Sequence, residues 1–248
     1  MEAAGGDDGA LSTCVCLDRT VAYPAGGGQP SDTGRIVGSG GGTFIVKDVK
    51  AVDGVVRHLG VWEEEGTTSS SSFALGDEVT VHVDVDRRLL HARIHSAGHL
   101  LDVAMTNIGY GPDVMVPAKG LHAPDQAYVE YNPPASGAKP AVDKEKLIAD
   151  LTVEMNRLVK EGGASKSGIM SYDDAAKACG GSLPPYISAD SSPRIVTILE
   201  GTEGCPCGGT HVADVKEIGS GVNVTAVRVK KGVTRVSYTI EGMKDHKP

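Results

Sequence analysis

Residues 86–109 read DRRLLHARIHSAGHLLDVAMTNIG, and this stretch decides how the chain divides. Upstream, short runs rich in Val, Ile and Thr are punctuated by Gly, Pro and Asp. From Asp86 onward the apolar residues fall at helical spacing instead. Leu89, Leu90, Ile94, Leu100, Leu101 and Met105 form the expected apolar face, with Asp86 as N-cap and Gly109 as stop. Inside this helix His95 and His99 stand four residues apart, so both rings project from one face. His91 extends the stripe one turn back, as a coincidence or a third ligand.

Working outward, five runs before the boundary (STCVCLDRTVAYP, GRIVGS, GTFIVKDVKAV, GVVRHLGVW and EVTVHVDVD) read as strands separated by turns. Their even spacing predicts a small all-β barrel over residues 1–85. The polar, low-complexity run GTTSSSS at 66–72 reads as a loop within it. Residues 86–248 mix helices with an antiparallel sheet, an α+β pattern. VDKEKLIADLTVEMNRLVKEGG is a strongly amphipathic helix ending at Gly162, SYDDAAKACGG is a short helix, and AYVEYN, PRIVTILEG, VNVTAVRVKKG and TRVSYTIEG read as strands. The expected organisation is therefore two domains, with no internal repeat.

Composition narrows the class. Apolar residues at 40% and charged residues at 23% make an ordinary globular balance, and aromatics at 4% leave the core to Val, Ile, Leu and Ala. The net charge of −8 is unlike that of a free nucleic-acid binder, so any such contact must use a local basic patch. The five cysteines, at 14, 16, 179, 205 and 207, are odd in number and form no disulfide framework. Cys14, Cys16 and Cys179 have no metal-like partners and read as small core residues. The acidic N-terminus has no apolar h-region, and no run approaches 18 apolar residues, so neither a signal peptide nor a membrane span is expected.

The helical histidine pair has a partner over 100 residues on, in EGCPCGGTHVAD (203–214). Two glycines and a threonine separate Cys207 from His211, and Gly208 and Gly209 permit a tight turn. Alone, CGGTH reads equally well as a strand-connecting turn with a buried Cys. Together with the helical pair it makes an N₃S set suited to tetrahedral zinc. Cys205 could replace Cys207 or one histidine. A zincin protease has the same histidine spacing but a Glu directly after the first histidine, where this chain has Ser96. Asp102 and Asp214 are the nearest carboxylates: the first orients a ligand or sits in solvent, the second caps a turn.

Three motifs in this order, YPAGGGQPSDTG (23–34), HSAGHLLD, and CGGTHV followed by EIG, resemble the AlaX family of free-standing alanyl-tRNA editing proteins, relatives of the editing domain of alanyl-tRNA synthetase. The resemblance covers nearly the whole chain. The editing domain of threonyl-tRNA synthetase shares the HxxxH and CxxxH elements but lacks GGGQ. Presence of both regions is similar to the intermediate-length class of the family. The resemblance implies a cytoplasmic hydrolase that clears alanine tRNA mischarged with serine or glycine, with no obligate protein partner. It implies zinc (Zn2+) on His95, His99, Cys207 and His211. A synthetase pocket built for alanine rejects these amino acids weakly, hence the need for a second sieve. Two routes are open: zinc acidifies a water, or zinc orients the substrate while a water held by backbone or ribose attacks. Four protein ligands leave no open position for the first unless coordination expands.

The glycine-rich stretch by residue type is an ordinary hairpin loop. The resemblance turns Gly26, Gly27, Gly28 and Gln29 toward the editing pocket. Family members often carry Thr before the second histidine, where this chain has Gly98. The expectation is that Gly98 leaves room beside the metal, so that the pocket is wider or another hydroxyl, such as that of Thr20, or Gln29, reads the substrate. Arg228, Lys230, Lys231 and Arg235 on a hairpin, and Arg87, Arg88 and Arg93 around the metal helix, are a solvated surface or the phosphate contacts. The readings of other classes are a tRNA-binding module with a purely structural zinc and a metallohydrolase for another ester or amide.

Overall fold

The computed structural model describes residues 13–63, 72–137 and 141–243. The acidic N-terminus and all but Ser72 of the serine-rich run lie outside the described residues. The chain divides into two compact units: Met1–Ala25 with Pro30–Arg88, and Gly26–Gln29 with Leu89–Pro248. Among the described residues no helix is long and apolar enough to cross a membrane.

The first unit is one antiparallel sheet of β1 (Thr13–Cys16), β2 (Gly34–Gly38), β3 (Thr43–Val52), β4 (Val55–Trp62) and β5 (Val79–Val83), in the order β1-β4-β3-β2-β5. No ladder joins β5 to β1 among the described residues, so the closure that defines a barrel is not among its pairings. Phe44 and Val46 of β3 point inward, then a register shift between Val46 and Asp48 moves the inward phase to Val49. One extra residue in a ladder has this effect because side chains alternate with a period of two. Trp62 meets Phe44 and Phe73 edge to face, at 5.1 and 4.8 Å between ring centroids.

The second unit contains α1 (Val85–Asn107) from Leu89 onward, α2 (Lys144–Glu161) and α3 (Tyr172–Ala178). One of its sheets is β6 (Val116–Ala123), β7 (Gln126–Asn132), β11 (Asn223–Lys230) and β12 (Val233–Thr239), in the order β11-β12-β7-β6. The other is β8 (Lys166–Ile169), β9 (Arg194–Thr197) and β10 (Cys205–Pro206), in the order β10-β9-β8. Every pairing is antiparallel, as an α+β domain requires. Ile94, Ala97, Leu101 and Ala104 of α1 share one core with Leu147, Leu151 and Met155 of α2 and Val129, Val236 and Tyr238 of the larger sheet.

Two details of α1 correct the expectation. Its first turn is capped by Asp84, whose carboxylate accepts from Arg87 N–H at 3.1 Å, and not by Asp86. Leu89 is 53% exposed and lies off the apolar face. The C-terminal end is as read: Gly109 has a φ of +93°, which favours glycine. α2 begins at N-cap Asp143 and stops at Gly162, the end read from the sequence.

Candidate metal centre

Helix α1 carries His95 and His99 on its buried face, and the loop after β10 carries Cys207 and His211. One ligand atom from each of the four lies within 4.8 Å of the others, so this group could hold a metal ion. The His95 ring centroid is 5.1 Å from that of His99 and 4.5 Å from that of His211. Cys207 Sγ lies 3.4 Å from Nε2 of both His95 and His211. Three nitrogens and one soft sulfur fit a zinc-like cation. His91 is buried one turn back on α1 and is outside the group.

Each ligand is held from behind. The carbonyl oxygen of Gln29 accepts from His95 Nδ1 at 2.8 Å and from Thr210 N–H at 3.0 Å. A backbone N–H only donates, so the carboxamide presents oxygen here and His95 must carry its proton on Nδ1. That leaves the Nε2 lone pair toward Cys207. Ser96 Oγ meets His211 Nδ1 at 3.2 Å and accepts from Val212 N–H at 3.1 Å. The residue at the zincin glutamate position is thus a support for a ligand. Arg194 donates to the carbonyls of Cys207 and Gly209 at 2.7 and 3.0 Å and fixes the loop. Sequence reasoning missed Arg194, whose only signal is its place at the start of a strand.

Burial sets the protonation states. It pushes His99 down to about 4 and His211 to about 2, with help from Arg194 for the first and His99 for the second. His95 is held well below its ordinary value by burial and then by His99 and the other imidazoles. All three are therefore neutral lone-pair donors near pH 7. Burial raises the thiol of Cys207, so a cation entering here displaces its proton. Cys205, also raised by burial, lies with Sγ 3.1 Å from His99 Nδ1 and outside the four-residue group.

The loop Gly26–Gln29 packs within this unit. Gly26 and Gln29 bond across it, and Gly28 O accepts from His122 N–H at 2.7 Å. Gly27 and Gly28 both have positive φ, and a Cβ on Gly28 would collide with the backbone of Gly120. Thr20 belongs to the first unit. Its hydroxyl bonds His58 Nε2 at 2.8 Å and accepts from Ala22 N–H. His58 Nδ1 donates to Val15 O, so Nε2 is the acceptor and takes the threonine proton.

The room expected at Gly98 is filled. A Cβ there would run into the ring of His122 and come within 2.8 Å of Tyr238 Oη. His122, from β6, is 5% exposed and stacks on His95 with centroids 4.4 Å apart and planes 19° from parallel. Burial pushes it down to about 3. It was missed because a lone histidine in VPAKGLHA has no ligand spacing. Asp102 is half-buried, accepts from Tyr131 Oη at 2.7 Å, and is raised by burial to about 7. Asp214 caps a short 3₁₀ turn (Val215–Ile218), as one of the sequence readings had it.

Arg228, Lys230 and Lys231 are exposed on the β11–β12 hairpin. Lys231 and Gly232 both have positive φ, the two-residue turn that matches strand twist, and this puts Lys231 at the tip. Arg235 faces Arg228 across the ladder, donates to Glu130 at 2.6 Å and lies 3.9 Å over the Tyr128 ring. Arg88 pairs with Asp32, Arg87 donates to Ser31 O, and Arg93 donates to Ile218 O at 2.9 Å.

Residues 5–87 match the family model of tRNA synthetases class II (A). An alanine–tRNA ligase of Methanothrix thermoacetophila is 32% identical over 93% of this chain, which spans only 23% of the ligase. The alanyl-tRNA editing protein AlaX-M of Methanosarcina barkeri is 31% identical over 91% of this chain and 88% of its own length. AlaX-M of Pyrococcus horikoshii is 29% identical over 92% of this chain and 87% of its own length. With similarity running nearly end to end in proteins of this size, the chain belongs to the AlaX family of alanyl-tRNA editing proteins.

Proposed function

We propose that this chain is a zinc-dependent trans-editing enzyme that deacylates alanine tRNA mischarged with serine, and with glycine, in the cytoplasm where tRNA is charged. Its membership of the family makes it an aminoacyl-tRNA deacylase. The observation that carries the reading is the convergence of His95, His99, Cys207 and His211, with Gln29 of the glycine-rich loop bonded to the back of His95. An editing motif and a metal motif some 70 residues apart in sequence meet at one imidazole.

The reaction adds water across the ester between the amino acid and the terminal ribose. The bond from carbonyl carbon to ribose oxygen breaks, and the ribose oxygen takes up a proton. His95, His99, Cys207 and His211 would hold zinc, which when bound supplies a positive charge to polarise or orient the reacting groups. The rest is done by the chain. Gln29 and Ser96 fix the rings of His95 and His211, and Arg194 fixes the loop that presents Cys207. Gly26, Gly27 and Gly28 expose backbone beside the ligands, and Gly98 admits His122. The exposed Arg228, Lys230 and Lys231, with Arg235 beside them, are the proposed phosphate contacts.

Single-turnover hydrolysis of Ser-, Gly- and Ala-tRNA(Ala) tests the reading. Release of serine and glycine with alanine spared supports it. Binding of tRNA without hydrolysis would favour a binding module with a structural metal, and no interaction with tRNA would favour another ester or amide.

A further inference from the structure

Four imidazoles meet at the metal group, His95, His99, His211 and His122, and His122 is the one of them that does not belong to it. Its position is made by three residues acting together. Gly98 clears space inside α1, where glycine destabilises a helix by roughly 1 kcal/mol relative to alanine. Gly120 clears the other side, since a Cβ there would also meet the His122 ring. His95 supplies the stacking surface. Apolar packing alone does not explain this arrangement, because a leucine would fill the volume with no polar atoms to satisfy.

The hydrogen bonds around the ring fix its tautomer. Tyr238 Oη donates its single proton to Ile94 O at 2.9 Å. Its contact with His122 Nδ1, at 2.7 Å, must therefore run the other way, with Nδ1–H donating to the phenol oxygen. A neutral His122 then has a bare lone pair on Nε2. Among the described residues no hydrogen bond to Nε2 is found, and the residue keeps 5% of its surface exposed. The ring is thus a hydrogen-bond acceptor, rigidly held against a metal ligand, with its acceptor atom left for something outside the protein.

We propose that His122 is a specificity-determining residue of this site: its Nε2 accepts a hydrogen bond from the side-chain hydroxyl of the seryl group, the feature that separates serine from alanine and glycine. The assignment rests on the deacylase reading above. A hydroxyl is discriminated strongly only by a polar group placed to pair with it. Glycine at 98 and histidine at 122 are complementary, because a Cβ at 98 would occupy the place of the ring.

The test compares wild type with His122→Leu and Tyr238→Phe on Ser-, Gly- and Ala-tRNA(Ala), with metal content measured on each. Loss of one neutral hydrogen bond should lower the serine rate about tenfold in His122→Leu. The glycine rate should fall less than the serine rate, because glycine has no hydroxyl, and the metal content should be kept. Equal losses on serine and glycine, or none on either, would overturn the proposal. Should His122→Leu fail to fold or load metal, Tyr238→Phe decides, since it removes only the oxygen that fixes the tautomer. A lowered serine-to-glycine ratio supports the proposal and an unchanged ratio overturns it. ¹⁵N NMR of the wild type adds a readout independent of turnover: His122 should be protonated on Nδ1, and a proton on Nε2 contradicts the assignment. A wild type inactive on every mischarged tRNA would overturn the deacylase reading itself, whereas activity with unchanged ratios would overturn only the role of His122.

Discussion

Gln29 Oε1 and His95 Nδ1 are 2.8 Å apart, and this bond ties the glycine-rich loop to the first ligand of the metal group. Partners behind a ligating histidine commonly contribute 10- to 100-fold in metal affinity. Gln29→Ala should weaken zinc binding by about that factor in a competition titration. Gln29→Glu, which keeps an acceptor at the same place, should lose less. Equal losses in the two variants would mean that the loop matters for packing and not for the tautomer of His95.

Restoring threonine at position 98 is expected from the resemblance to rescue part of the selectivity lost in Thr20 or Gln29 variants. The packing of His122 argues against it. Gly98→Thr should destabilise the protein, by an amount on the order of 1–3 kcal/mol for overpacking a filled core, and thermal unfolding reads it directly. Adding His122→Ala to the same chain should recover part of the loss. A neutral Gly98→Thr variant would show that the ring has somewhere else to go.

Asp102 gives a pH dependence of unusual sign. Its folded-state value, near 7, lies above that of an unfolded carboxylate, so the folded protein prefers the protonated form. Its contribution to stability is therefore intact below about pH 4 and declines as pH rises to 7. With metal removed, Asp102→Asn should raise the Tm by a few degrees at pH 8 and by little at pH 4. A Tm lowered equally at both values would make the carboxylate a structural acceptor for Tyr131 and nothing more.

At the hairpin tip, Lys230→Glu with Lys231→Glu should weaken tRNA binding and flatten its salt dependence while leaving metal content intact. Arg235, engaged with Glu130 and Tyr128, should matter less for salt dependence than for stability. An unaltered affinity across a salt series would return these lysines to ordinary solvated surface.

What the chain's sequence discloses follows the range of the interactions. Helices α1 and α2 are legible because an apolar stripe and terminal glycines are local signals; Gly109 and Gly162 sit where the pattern puts them. The metal group is legible because HxxxH and CxxxH each carry their own geometry. Strands β6 and β8 are not: KSGI and VPAKGLHA have little alternation, and their pairing comes from neighbours distant in the chain. His122 and Arg194 share that fate. Each matters through a contact made only after folding, with Gly98 and Tyr238 in one case and the Cys207 loop in the other. Asp84 displaced Asp86 as the cap because the helix starts at Val85, two residues before the start that an Asp86 cap implies.

The central claim is that the metal group and the editing reaction are one site. Its most direct test is the rate of serine release from Ser-tRNA(Ala) by the protein as purified, after chelation, and after restoration of one equivalent of zinc, with Cys207→Ala carried alongside. The account predicts activity lost on chelation, regained with one zinc per chain, and not regained in Cys207→Ala. Full activity in a verified metal-free protein, or in a Cys207→Ala protein that binds no zinc, would contradict it.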